Sequence, residues 1–213
     1  MEQYITGTPV ASIIFLFTVV SSLYAFSNPS VFEKLMLHPY SVSRGKRIYT
    51  VITSGLIHKD WGHLIMNMFS YFFFAFRLEA TFVQYNPQLG HFMFAGLYII
   101  SLILSDISSI IKHREDFSYN SLGASGAVCA VVFSSILFDP LATMYVMPIP
   151  FPINSVIYGF LFLGYCMYAS RISRDNINHD AHFYGALTGV VVTVIFFPGI
   201  LSYFFSQIAG RFA

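Results

Sequence analysis

Residues 123–138 read GASGAVCAVVFSSILF. The stretch is apolar, yet a helix over Ser125 to Phe138 rises only roughly 21 Å against a bilayer core of about 30 Å. With its far end at the opposite interface, Ser125 starts on the order of 10 Å below the near surface. The loop before it must then dip into the membrane. Irregular backbone is tolerated there only when protein covers it or when it lines a wet cavity. The stretch therefore predicts a helical membrane protein with a water-accessible pocket at Ser125.

The flanking sequence supports that class. The chain is 56% hydrophobic and 10% charged, with a mean hydropathy of +0.66, whereas a soluble domain carries about a quarter charged residues. A net charge of +1, with no basic stripe beside the aromatics, argues against nucleic acid as a partner. Apolar runs predict six spans at about 10–27, 62–78, 91–111, 125–138, 153–170 and 181–197, an all-α fold in a single membrane domain over residues 1–213. Pro198-Gly199 separates the sixth span from a further apolar extension, 199–213, which either lies in the interface or continues the helix past a kink. Glu2 is the only charge before the first run, about Val10 to Phe26, so that run reads as a retained span and not a cleaved signal.

The loops differ. The first, about 28–60, is long and charged, ends at Trp61, and has the length of a functional loop. The third, 112–124, passes from charged to Gly/Ser-rich. The fourth carries Asp139-Pro140, Pro148, Pro150 and Pro152, a stiff turn. No internal repeat supports an inverted-repeat transporter. Cys129 and Cys166 both lie in apolar runs and read as small core residues, paired only if they touch.

Ser125 opens its helix, where free N–H groups and the helix dipole stabilise an oxyanion. Gly123 and Gly126 permit a tight turn and close approach of a substrate. A packing face of small residues gives the same pattern, since Gly126 and Ala130 are four apart. His182 opens the sixth span, with Gly185 and Gly189 on the same face, so this face is expected to press on another helix, with the Gly126/Ala130 face as the candidate. An ionisable residue in a span is a functional candidate, and a neutral imidazole there can take a serine proton. A hydrogen-bonded structural histidine is the alternative. His63 and Asn67 share a helix face and can both donate to an oxyanion, or serve as interhelical polar glue. His58 and His63 lack a carboxylate or cysteine to complete a metal set, so no metal and no cofactor are expected. Asp180 and His182 are two apart and point away from each other. Asp106 reads as a local cap or pair, and Arg47 and Glu79 as structural.

These residues together resemble the rhomboid family of intramembrane serine proteases, over about residues 44–195. Three motifs stand in family order: His63-x-x-x-Asn67, Gly123-x-Ser125-Gly126 and Ala181-His182-x-x-Gly185-x-x-x-Gly189. Arg47, His58, Trp61 and Arg77-Leu78-Glu79 also fit. The resemblance implies a six-helix bundle with a long first loop and a short fourth helix, and a serine-type endopeptidase working by a Ser–His dyad. Ser125 would be the nucleophile and His182 the general base and acid. His63, Asn67 and the Ser125 N–H would form the oxyanion hole. Substrates would be transmembrane helices of other membrane proteins, with membrane lipid around them, and the fifth span with Arg171 to His179 would supply a gate or cap. Cys129 is a departure. Family members often carry an aromatic there that packs on the histidine, so either another aromatic such as Phe183 substitutes or the imidazole is held less tightly.

The alternative is a non-catalytic rhomboid-like protein that binds transmembrane helices for membrane protein quality control. The family orientation places the active-site loops on the exocytoplasmic side, and the short core suggests a bacterial inner membrane. Against that orientation, Lys34, Arg44, Lys46, Arg47, Lys59, Lys112, Arg114, Arg171 and Arg174 fall on the active-site side, where the positive-inside rule expects cytoplasm.

Overall fold

A computed structural model describes residues 7–145, 151–173, 175 and 177–211. Helix α1 is Pro9–Phe26, and the first loop holds short helices α2 (Pro29–Leu35), α3 (Pro39–Val42) and α4 (Thr50–Thr53) with a 3-10 turn at Ser54–Leu56. The bundle continues with α5 (Trp61–Tyr85), α6 (Gly90–Lys112), α7 (Ser125–Phe138), α8 (Ser155–Ile172), α9 (His179–Phe196) and α10 (Ile200–Gly210). Between α7 and α8 a two-residue antiparallel ladder joins β1 (Thr143–Met144) to β2 (Ile153–Asn154), a small departure from the all-α expectation. Pro148 and Pro150 lie outside the described residues.

By length and apolarity, α1, α6 and α8 can each cross a membrane, and α9 with α10 makes a fourth as a bent pair. Helix α5 has 25 residues but carries His63, Asn67, Arg77 and Glu79, which make it amphipathic. Helix α7 has 14 residues and is the short one. The bend between α9 and α10 is 107°. Its cause is Pro198, which forces the preceding Phe197 out of the helical region, to φ −132°, ψ 78°.

The short helix sits at the centre. Ten of its residues are buried, among them Ala127, Val128, Ala130, Val131 and Leu137. Between helices in lipid, association rests on close packing and interhelical polar contacts and not on water exclusion. Helix α9 supplies both. A Cβ on Gly185 would strike the carbonyl of Gly126, and one on Gly189 would strike that of Ala130. Thr193 Oγ1 and Ser134 Oγ share a hydrogen bond of 2.6 Å across the same interface. On the other side of α7, Tyr71 and Phe82 of α5 and Phe94 of α6 are fully buried.

Glu79 is a fully buried carboxylate of α5. It accepts the Val10 and Ala11 N–H groups at 3.1 and 2.7 Å, and the Nδ1 of His91 lies 2.6 Å away. These are orphan donors at the α1 N-terminus, where negative charge is favourable. Arg47 (φ 53°) donates to the carbonyls of Glu33, Lys34 and Met36 and so closes the C-terminus of α2. Asp106 accepts from Ser54 Oγ at 3.3 Å.

Candidate active site

Three consecutive attachments hold the loop that enters α7. Ser121 exchanges backbone hydrogen bonds with Leu37 of the first loop, at 2.9 and 3.0 Å, and the Gly123 N–H donates to the Ser54 carbonyl at 2.9 Å. The Ala124 N–H then points at His58 Nε2, 3.5 Å away. With Nε2 accepting, the His58 proton sits on Nδ1 and goes to Ser22 Oγ at 3.0 Å. Ser22 passes its own proton to the Leu56 carbonyl. Burial first, and then the neighbouring His63, pushes the His58 pKa down to about 3, which keeps this neutral tautomer in place. The first loop thus covers irregular backbone that would otherwise face lipid.

Gly123 has φ +117°, and a Cβ there would lie 2.6 Å from Cε1 and 2.8 Å from Nε2 of His63. Only glycine suits that angle and that approach. His63 follows the N-cap Asp60, whose carboxylate accepts the His63 N–H at 2.8 Å. The Lys59 N–H lies 3.5 Å from His63 Nδ1, which leaves Nε2 as the donor, beside Gly123. Asn67, one turn on, gives one amide hydrogen to the His63 carbonyl at 3.2 Å and keeps the other free to donate.

Ser125, His182, His63, Asn67 and Cys129 all line one cavity of about 920 Å³. Its lining also includes the polar residues Lys59, Asp116 and Ser118 and the aromatic residues Phe133 and Phe162. By helix geometry the first-turn N–H groups of α7 have no acceptor within the helix, so they are free to meet a negative oxygen. Among the described residues no hydrogen bond joins Ser125 Oγ to the His182 ring. The two groups share the cavity, and contacts of this kind commonly tighten only when substrate is bound.

The aromatic beside His182 is Phe162 of α8, with ring centroids 6.3 Å apart and planes inclined by 24°. Phe183 turns away and packs edge-on against Tyr184. Side chains at adjacent helix positions diverge by about 100°, so Phe183 cannot face the ring next to it in sequence. Both cysteines are free thiols. Asp180 pairs with Lys112 at 2.7 Å and does not orient His182.

Three partners of the site were not assigned from sequence. Phe162 is one, and nothing local marks it. Asn178 is the N-cap of α9, accepting the Ala181 N–H at 3.0 Å and donating to Ser109 and Ser121 hydroxyls. Its spacing before Ala181 is a legible capping signal. The third is the pair His179–Asp175, with His179 Nε2 at 3.2 Å from both carboxylate oxygens. Hydrogen bonding, from Ser173 first and also from His179, holds the Asp175 carboxyl below the usual range. Within the expected gate or cap, Arg174 and Asn176 lie outside the described residues.

Comparison with known proteins identifies the family. The Rhomboid domain family matches residues 45–199. A mitochondrial protein of Arabidopsis thaliana, RHOMBOID-like protein 12, is 25% identical over 178 residues, covering 75% of this chain and 51% of its own length. Rhomboid-like protein 16, chloroplastic, of the same plant is 30% identical over 173 residues, covering 76% of this chain and 52% of its own. The chain spans about half the length of the curated relatives it matches. Both relatives carry organellar names, so they lend no support to the expected bacterial inner membrane.

Proposed function

The chain belongs to the rhomboid family, and from that premise we propose that it is an intramembrane serine endopeptidase acting on transmembrane segments of other membrane proteins. The observation that carries the reading is the meeting of Ser125, His182, His63 and Asn67 on one cavity at the start of a short central helix.

In this reading Ser125 Oγ attacks the scissile carbonyl carbon and its proton passes to His182. The carbonyl oxygen becomes an oxyanion, held by the Ser125 N–H, His63 Nε2–H and the free amide hydrogen of Asn67. His182 returns the proton to the departing amine. Water, deprotonated by His182, then releases the acyl group from Ser125. No carboxylate is needed as a third member, and Asp180 is committed to Lys112. Helix α8, which follows the short helix, closes the side of the cavity at Phe162 and serves as the gate. The active-site loops face the exocytoplasmic side. In support, three of their basic residues are engaged by the fold: Arg47 by three carbonyls, Arg44 by Glu115, and Lys112 by Asp180.

Purified protein in detergent, given a single-span substrate and, separately, a fluorophosphonate probe, tests the proposal. Ser125→Ala and His182→Ala are each expected to lower cleavage by at least about 10³-fold with helical content unchanged. Cleavage that survives in Ser125→Ala overturns the reading. The second reading is a non-catalytic helix binder, for which the cavity need only admit a transmembrane segment. That protein would retain its partner in Ser125→Ala and would leave the probe unreacted in the wild type.

A further inference from the structure

Around His182 three soft or borderline ligands converge. One ligand atom each from Cys166 of α8 and His179 and His182 of α9 lies within 4.8 Å of the other two. His179 is only 4% exposed. Its Nε2 is taken by the Asp175 carboxylate, and its Nδ1 is buried without a hydrogen-bond partner. An orphaned buried nitrogen is costly unless something else occupies it. A carboxylate on the far nitrogen of an imidazole is also the usual support for a histidine that binds metal, because it fixes the tautomer and makes the free nitrogen more basic.

We infer that Cys166, His179 and His182 form a binding site for a thiophilic divalent cation of the zinc class. One thiolate and two imidazoles exclude calcium and magnesium, which take oxygen ligands, and suit zinc. A tetrahedral zinc ion holds its ligand atoms roughly 3.3–3.8 Å apart, so the three must close by about 1 Å. His182 has room for that movement because it borders the cavity, which is also the route of entry. On binding, Cys166 releases its proton to solvent and binds as thiolate, so affinity rises with pH. The fourth position is left to water.

The consequence for activity rests on the proposed dyad. A neutral imidazole that gives one nitrogen to a cation carries its proton on the other, so neither nitrogen can accept the Ser125 proton, and a held ring cannot approach Ser125. The site is therefore inhibitory, and occupancy switches the protease off reversibly.

Cobalt(II) reports on the site without relying on activity. Chelator-stripped protein in detergent, titrated with Co²⁺, is expected to develop a near-ultraviolet thiolate-to-cobalt band together with visible bands of a four-coordinate ion, saturating at about one equivalent and bleached by Zn²⁺. Cys166→Ser should lose the thiolate band, and Cys129→Ser should keep it. Asp175→Asn should weaken binding by about 10-fold or more. The absence of a thiolate band, or its survival in Cys166→Ser, overturns the site.

Fluorophosphonate labelling of the same samples tests the inhibition. Zn²⁺ should suppress labelling of Ser125 in the wild type and not in Cys166→Ser. Equal labelling with and without Zn²⁺ in a protein that shows the cobalt band overturns the inhibitory role. A metal-free protein that never labels overturns the dyad and with it the inhibition, while the cobalt spectra still decide the site.

Discussion

At Gly123 two constraints meet in one residue: a φ of +117° and a histidine ring where a Cβ would be. The angle alone costs a non-glycine residue about 1–3 kcal/mol, and His63 must also shift. Gly123→Ala is therefore expected to lower the melting temperature and to reduce fluorophosphonate labelling of Ser125 by about tenfold or more, because the donor that shifts is one assigned to the oxyanion. A variant that melts and labels like the wild type would show that His63 does not depend on this approach. The motif glycine was legible in the sequence as a turn former. Its contact was not, since His63 lies 60 positions away. The same holds for Phe162 beside His182: the resemblance offered a substitute aromatic such as Phe183 or a loosely held imidazole, and Phe183 faces elsewhere while Phe162 lies beside the ring.

Among the elements, α7 and α9 carry the site, and their separation is set by glycine. Gly185 meets backbone atoms of Gly126, which have no rotamer with which to move aside. Gly185→Val should therefore push the helices apart, lower the melting temperature by several degrees and abolish substrate cleavage. Gly164→Val is the control, since nothing lies within 4 Å of a Cβ at that position of α8, and it should fold and label normally. Equal effects of the two substitutions would refute close packing as the role of Gly185. The four-residue spacing of Gly185 and Gly189 was readable as a packing face. The element boundaries were nearly so: the expected 125–138 coincides with α7, and α5 overruns its expected end by a turn or two because Arg77 and Glu79 interrupt the apolar pattern without interrupting the helix.

Over the whole molecule, burial is graded from centre to rim. Helix α7 has ten buried residues in 14, α8 four in 18, and α10 only Ile200. Local opening follows packing, so exchange should be slowest in the best-packed element. In detergent micelles the amides of α7 are expected to exchange last, after those of α8, with α10 ahead of both. Exchange of α7 as fast as α8 would contradict a bundle organised on the short helix. The first and third loops add a second layer of order, stitched by the Leu37–Ser121 bridge, by His38 on the Phe117 carbonyl and by Arg44 on Glu115. By itself the sequence determined the membrane class, the helical bundle, the family and the four residues proposed for chemistry, because apolarity, helix length and motif spacing are local properties of the chain. Only the tertiary structure decided which partners hold those residues: His58 under Ala124, Phe162 beside His182, and Asp175 behind His179. Those contacts join distant elements or a loop to a helix end, and no local pattern specifies which side chains of two separate segments will meet once the bundle closes.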